Sequence, residues 1–281
     1  MRLIDGRAIA AAIAEEVTAA VTVLREAGTL PRLAVVVPTR DEAAAWYVRS
    51  LARAAAKVGV ACLVEELDEP DAAQLAKRLE ALSDDASVHG IVCQTPLPNG
   101  LRLEQVAAAI DPAKDVDGAN PHSLGRLAAG LPCFAPATAA AVLEILHREQ
   151  VGLVGARAVV IGRSTVVGKP VALLLLAEHA TVTWCHSRTR DLARVCAQAD
   201  VLVAAAGRAR LVTSGHVKPG AVVVDIGINP TADGRVEGDV DAESVAGRAG
   251  ALTPVPGGVG PVTTMVLLRQ VTSAAAAAAP A

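Results

Sequence analysis

Gly162-Arg163-Ser164-Thr165-Val166-Val167-Gly168-Lys169-Pro170 has the residue types of a phosphate-binding turn. The apolar run Ala158-Val159-Val160-Ile161 precedes it, and Val171-Ala172-Leu173-Leu174-Leu175-Leu176-Ala177 follows. That order predicts a buried strand, a glycine turn and a helix with a proline in its first turn, where a missing N–H costs nothing. A strand feeding a helix N-terminus through such a turn presents backbone amides to an anion. Only Gly162 and Gly168 are present, so the G-x-G-x-x-G spacing is lacking and the pattern alone is weak. The next run, Ala180-Thr181-Val182-Thr183-Trp184-Cys185, is β-branched and predicts a second strand. It ends in His186-Ser187-Arg188, where a binder of NAD carries an acidic residue for the ribose hydroxyl. A carboxylate would repel a 2′-phosphate, whereas a hydroxyl and a guanidinium hold one. Arg163 is a second candidate clamp, and the cofactor these residues point to is NADP. The alternative is a set of solvated loop residues.

Four further segments have chemical potential, each with a plainer alternative. Trp46-Tyr47 offers a ring to stack on a flat heterocycle, or a core aromatic pair. Gln94 ends a predicted strand, the edge where open α/β sheets bind ligands, or it ties down the turn behind it. Asp115-Val116-Asp117-Gly118 sets two carboxylates before a glycine, and either one is also suited to an Asx turn. Pro256-Gly257-Gly258-Val259-Gly260-Pro261 allows close backbone approach to a ligand, or serves as a tight connector.

These residues need a scaffold. Ile9, Ile13, Val17 and Val21 recur at helical spacing. Residues 33–37 predict a buried strand, and Asp41 opens a helix to about Lys57, ended by Gly59. A strand at 61–64, a helix at 71–82 and a strand at 89–94 follow. Such alternation with short connections is the sign of a parallel α/β sheet. Proline and glycine cluster from Asp111 to Pro136 with little periodicity, which suggests an interdomain region. A helix over 138–149 leads into a Rossmann-like unit with further strands at 201–205 and 221–225. The last helix is expected from about Thr263, with an alanine-rich tail fraying from Ser273.

At 281 residues the chain has room for two domains. A net charge of −3 argues against a broad nucleic-acid-binding face. The mean hydropathy is positive, but through scattered alanine and valine. No apolar run approaches the roughly 20 residues of a spanning helix, so no membrane partner is expected. Asp5 and Glu15-Glu16 do not suit a signal peptide. Five cysteines without a C-x-x-C pair suggest reduced core thiols and a cytosolic location. The six histidines are scattered, and no metal site is expected. With one Tyr, one Phe and two Trp in the chain, a tyrosine beside a tryptophan is a poor candidate for incidental packing.

Several motifs occur in an order and spacing that resemble one family. They are Gln94-Thr95-Pro96-Leu97-Pro98, Lys114-Asp115-Val116-Asp117-Gly118, Gly162-Arg163-Ser164 through Gly168-Lys169-Pro170, and His186-Ser187-Arg188-Thr189. Lys218-Pro219-Gly220 with Asp225-Ile226-Gly227-Ile228-Asn229, Gly238-Asp239-Val240-Asp241, and Pro254-Val255-Pro256-Gly257-Gly258-Val259-Gly260-Pro261 complete the set. Together they are similar to the bifunctional methylenetetrahydrofolate dehydrogenase/methenyltetrahydrofolate cyclohydrolase family, over essentially the whole chain. The resemblance implies an α/β homodimer of one-carbon metabolism and purine biosynthesis, with the folate in a cleft between two domains. Residues 1–120 plus 264–281 would form the folate-binding catalytic domain, and 121–263 the Rossmann-like NADP-binding domain. Tyr47 would stack on the aminobenzoyl ring, Asp117 bind the pterin and Gln94 line the reacting centre, with Pro256, Gly257 and Gly258 also at the substrate. Gly162, Arg163, Ser164, Gly168, Ser187, Arg188 and Ile228 would hold NADP.

The departures concern proton chemistry. One helical turn after Tyr47, where the family has its catalytic lysine, stands Leu51, preceded by Ser50. At about 100° per residue, Arg49 and Arg53 point roughly 200° and 240° from Tyr47; arginine stays protonated in any case. Lys57 is also off that face, and Ala44 stands in place of a family serine. Ala119, Asn120, Ser123, Ala137, Ala139 and Ala141 also differ from the family pattern. Hydride transfer mainly needs its two carbons held close and aligned. Hydrolysis must move protons, and a positioned acid or base contributes roughly 100- to 10,000-fold. The expectation is a surviving dehydrogenase and a crippled cyclohydrolase. The rival readings are an NADP-dependent oxidoreductase on another substrate and a non-catalytic folate- or NADP-binding paralogue.

Overall fold

The structure is a computed structural model that describes residues 1–231 and 233–279. The chain opens with β1 (Arg2–Leu3), α1 (Gly6–Glu26), β2 (Arg32–Val37), α2 (Glu42–Lys57), β3 (Ala61–Glu66), α3 (Ala72–Asp84) and β4 (Gly90–Cys93). Three helices follow: α4 (Leu103–Val106), α5 (Pro121–Ala128) and α6 (Ala137–Arg148). Then come β5 (Arg157–Ile161), α7 (Gly168–Ala177), β6 (Thr181–Cys185), α8 (Leu192–Cys196), β7 (Val201–Ala204) and β8 (Val222–Asp225). The chain closes with β9 (Asn229–Pro230), β10 (Val236–Glu237), α9 (Ala242–Val245), β11 (Ala251–Leu252) and α10 (Val259–Ala278). No helix among the described residues is long and apolar enough to cross a membrane.

Two compact units result. One comprises Met1–Ala10 and Thr138–Thr263, the other Ala11–Ala137 with the chain from Thr264 onward. These bounds differ from the expected domains at two places. Residues 1–10 join the Rossmann-like unit because β1 pairs in parallel with β11. Residues 121–137 group with the other unit because Asp115 binds the start of α5, as described below.

The Rossmann-like unit holds a six-stranded sheet in the order β1-β11-β8-β7-β5-β6, parallel throughout. Its central strands β5, β7 and β8 are rich in valine and almost wholly buried, as helix-covered parallel strands must be, whereas the edge strands β6 and β1 are largely exposed. From β5 the chain passes to β6 on one side and later to β7 on the other. A crevice therefore opens at the carboxyl ends of β5 and β7, the switch point where such sheets bind ligands. The other unit repeats the logic with a three-stranded sheet, β3-β2-β4, its switch point lying between β2 and β4.

Three expectations need correction. The stretch 111–136 is not all irregular: α5 is capped by Asn120, whose side chain accepts from His122 N, with Pro121 at its first position. Eight residues show too little periodicity to be recognised. The last helix starts at Val259 rather than Thr263. The alanine-rich tail stays helical to Ala278, with Ala275 fully buried; alanine has the highest helix propensity and packs where larger side chains cannot.

Gly118 closes the loop after β4 with φ of +57°, and a Cβ there would lie 2.5 Å from Pro136 N. Gln270, from α10, ties the same loop down by donating to the carbonyls of Val116 and Ala135. Gly118→Ala is expected to cost about 1–3 kcal/mol and to lower the midpoint of thermal unfolding by several degrees. An unchanged midpoint would show that the loop does not depend on this contact.

Candidate active site

Asp41 builds one wall of the three-stranded sheet's switch point by accepting from Ala44 N at 2.7 Å and starting α2. That helix buries a stripe of Ala44, Val48, Leu51, Ala55 and Val58. Tyr47 is half-buried beside the stripe, and Trp46 points outward, 62% exposed. The aromatic pair is therefore not a core pair. Leu51, one turn after Tyr47, is 1% exposed and belongs wholly to the hydrocarbon interior.

The loop after β4 supplies the other wall. Asp115 is fully buried and accepts from Ala119 N (2.9 Å), Asn120 N (2.9 Å) and Ser123 Oγ (2.6 Å). Burial raises its carboxyl above the ordinary range, and these three donors oppose the shift. Asp115 is thus the turn-forming acid of the pair. Asn120 and Ser123, which depart from the family pattern, belong to this buried network, and Asn120 Nδ2 also donates to Ile110 O. The loop so formed presents Asp117, which among the described residues accepts one bond, from Ala137 N at 3.3 Å. Burial pushes the Asp117 carboxyl up to about 7; the Ala137 amide opposes the shift, and the charge on Asp115 adds to it.

The structure brings Tyr47 and Asp117 together: burial first, then the Asp117 charge, raises the Tyr47 hydroxyl above its ordinary value. Among the described residues no ammonium adds its charge to Tyr47 or Asp117. Lys57 lines a groove with Ser50 and Arg53, and the amine of Lys114 donates to the carbonyls of Ser83 and Asp85. Gln94 leaves β4 at the same sheet edge from which β2 leads to α2, and its Nε2 donates to Thr95 O at 2.8 Å. The side chain does tie the turn, as its plainer reading had it, and it is still half-buried at the switch-point edge.

In the Rossmann-like unit, Gly162 leaves β5 with φ of +132°, and a Cβ on it would lie 2.1 Å from Ala205 O. A Cβ on Gly168 would lie 2.3 Å from Gly162 O, so the turn closes only with glycine at both ends. Ser164 Oγ accepts from the amides of Val167 and Gly168, setting the start of α7. These two bonds use the acceptor capacity of the exposed Ser164 hydroxyl and leave its O–H to donate. Arg163, Ser187 and Arg188 are exposed, and neither guanidinium has an ion pair among the described residues. Ile228 is 69% exposed, an unusual position for a large hydrocarbon side chain. A tight glycine turn at a switch point, unpaired guanidinium groups with a hydroxyl, and one bare apolar side chain fit a 2′-phosphorylated dinucleotide. Pro256, Gly257 and Gly258 lie in this unit, where Gly257 has φ of +103° and the loop backbone packs on Gly6.

Sequence reasoning quoted the groups that hold these loops within its motifs and strands but assigned them no role. Trp184 Nε1 donates to Gly162 O at 3.0 Å, and Asp225 and Asp239 are buried acceptors of backbone amides. An acid followed two residues later by glycine was the available signal for Asp225.

Residues 4–117 match the family model described as the tetrahydrofolate dehydrogenase/cyclohydrolase catalytic domain. Residues 136–279 match the NAD(P)-binding domain of the same family. The chain belongs to the tetrahydrofolate dehydrogenase/cyclohydrolase family. A relative from Parafrankia sp., the Bifunctional protein FolD, is 63% identical over 276 residues, 98% of this chain and 99% of that one. The crystal structure of the bifunctional FolD dehydrogenase/cyclohydrolase from Campylobacter jejuni is 40% identical, with a TM-score of 0.96 and 99% of both chains covered. The Trypanosoma brucei family structure, complexed with NADP cofactor and inhibitor, is 37% identical with a TM-score of 0.94, covering 99% of this chain and 98% of that one.

Asp117 makes folding depend on pH. Its folded-state value of about 7 lies above an unfolded value of about 3.9. The stability it contributes is therefore fully present below the unfolded value and is lost as pH rises through 7. Asp115 and Asp225, also raised, act in the same direction. The ligand-free protein should melt at a lower temperature at pH 8 than at pH 5, and Asp117→Asn should make that slope shallower. Equal slopes for the two proteins would remove Asp117 from the account.

Proposed function

We propose that this chain is an NADP-dependent methylenetetrahydrofolate dehydrogenase of one-carbon metabolism in which the family's second activity, cyclohydrolysis, has lost its proton carrier. The observation that carries this reading is Leu51, buried in hydrocarbon one turn from a Tyr47–Asp117 pair that is still in place. In this reading Tyr47 stacks on the aminobenzoyl ring, and Asp117 accepts from the N–H donors of the pterin. Gln94 lines the reacting centre, and the Pro256-Gly257-Gly258 backbone approaches the substrate. Gly162, Arg163, Ser164, Gly168, Ser187, Arg188 and Ile228 hold the cofactor, with the two guanidinium groups and the Ser187 hydroxyl meeting the 2′-phosphate. NADP, when bound, supplies the hydride acceptor. The working form is a cytosolic homodimer.

The two reactions differ in what they ask of this chain. Oxidation of the methylene carbon leaves an amidinium-like cation stabilised by the folate's own nitrogens, so the residues need only bind and align. A nearby ammonium would oppose that charge, and Leu51 does not. Water attack on the methenyl carbon needs a group to take and return protons. Asp117 is committed to the pterin, and the Tyr47 hydroxyl is too weakly acidic to ionise near neutrality.

Purified protein should reduce NADP with methylenetetrahydrofolate yet clear methenyltetrahydrofolate little faster than buffer. Leu51→Lys should raise that clearance by roughly 100-fold or more, the usual contribution of a positioned acid or base. Rapid clearance by the unaltered chain sinks the split. On the cofactor side, Arg188→Ala removes a charge-assisted bond and should raise the KM for NADP about 10- to 100-fold. The rate with NAD, which lacks the 2′-phosphate, should stay unchanged; an equal loss with both cofactors would assign Arg188 another role.

A further inference from the structure

We infer that Asp225 and Asp239 are positioning residues for the cofactor: two buried carboxylates that clamp Ile228 and the Ala206-Gly207-Arg208 backbone at the carboxyl edge of the six-stranded sheet. The inference rests on the proposed NADP-dependent reading and adds residues to it. Asp225 ends β8 and is 4% exposed; its Oδ1 accepts from Gly227 N and Asp239 N, and its Oδ2 from Val240 N, each at 2.9 Å. Asp239 is fully buried, and its Oδ2 accepts from Ala206 N (2.6 Å) and Gly207 N (2.9 Å). Its Oδ1 accepts from Arg208 N (2.8 Å) and Asn229 Nδ2 (2.9 Å). Neither carboxylate has an ion pair among the described residues, so backbone amides, with the Asn229 side chain, are what hold these charges.

The packing leaves no slack. A Cβ on Gly238 would lie 1.9 Å from Asp225 Oδ2, and one on Gly227 would lie 2.3 Å from Asp239 N. Glycine at both positions lets each carboxylate reach its amides. The consequence is geometric. The segment that begins at Ala206 follows Ala205, whose carbonyl packs against the Gly162 turn. Ile228, exposed to solvent, stands between Gly227 and Asn229, and both neighbours are bonded to the clamp. The chain ends leaving β5, β7 and β8 are thereby joined into one rigid edge. A purely structural lock has no use for a bare isoleucine at its centre, whereas a surface for a flat ring does.

The test is steady-state kinetics of Asp239→Asn and Asp225→Asn, with NADP binding to the parent chain measured first by calorimetry. An amide in place of either carboxylate turns a donor toward backbone donors. The expected result is a KM for NADP raised tenfold or more, with kcat at saturating NADP reduced less than threefold and the folate KM within twofold. A folded variant whose NADP KM stays within twofold overturns the clamp while leaving the dehydrogenase reading intact. Failure of the parent chain to bind NADP overturns both. If the aspartate variants do not fold, Asn229→Ala decides, since it leaves both carboxylates and their backbone donors in place and removes the Asn229 side-chain bonds to Asp239 and to the Glu237 carbonyl. A threefold or larger rise in NADP KM, with the folate KM unchanged, supports the clamp, and no rise refutes it.

Discussion

The chemistry of the three-stranded unit depends on a carboxyl group held beside a tyrosine without a cation to balance it. An opposite charge a few ångströms from a carboxylate lowers its pKa by about one to three units. With leucine at position 51 that side chain supplies no such charge, and burial, helped by the charge on Asp115, moves Asp117 to about 7. Near neutrality the group is poised between forms, and donors brought by a ligand settle it as the carboxylate. A ring with several N–H groups is such a ligand. The pocket is therefore better suited to recognising a flat donor-rich heterocycle than to shuttling protons.

The same economy of means shapes both units. Each is a parallel sheet whose strand order reverses, and each places its chemical residues at the reversal. Each also uses buried aspartates as struts: Asp115 in one, Asp225 and Asp239 in the other. A carboxylate with two acceptor oxygens gathers three or four donors from different segments, which no apolar side chain does. Glycines stand wherever a strut or a turn needs the space of a Cβ, at Gly162, Gly168, Gly227 and Gly238. Loops that would otherwise move are fixed by these acids, and the exposed residues on them inherit that rigidity.

Much of this was legible from periodicity and punctuation. The strands at 33–37, 158–161 and 221–225 are apolar runs of the right length, and Asp41 and Asp71 marked the starts of α2 and α3. The two-residue strands β1 and β11 were not legible, because their identity comes from their partner rather than from any pattern. Nor was the division of labour in Asp115-Val116-Asp117: two identical side chains differ only in which amides fold back on them. The alanine tail misled for a related reason. Low complexity resembles disorder in composition, yet alanine packs as a helix when a surface is there to receive it.

Leu51 also bears on stability. It completes the buried stripe of α2, and an apolar side chain of its size contributes about 1.5–3 kcal/mol when fully buried. An ammonium at the same depth must be stripped of water and is tolerable only against a nearby negative charge. Lysine and Asp117 would thus form a mutually dependent pair, and replacing the lysine by leucine strands the carboxyl while improving the core. A chain that no longer used the site would gain by losing the stranded acid as well, since a buried unpaired carboxyl group destabilises the fold above its shifted pKa. Asp117 has nevertheless stayed, with Tyr47 beside it and the Asp115 network shaping its loop. Together they keep a buried acceptor beside an aromatic ring, the arrangement that recognition of a flat heterocycle needs.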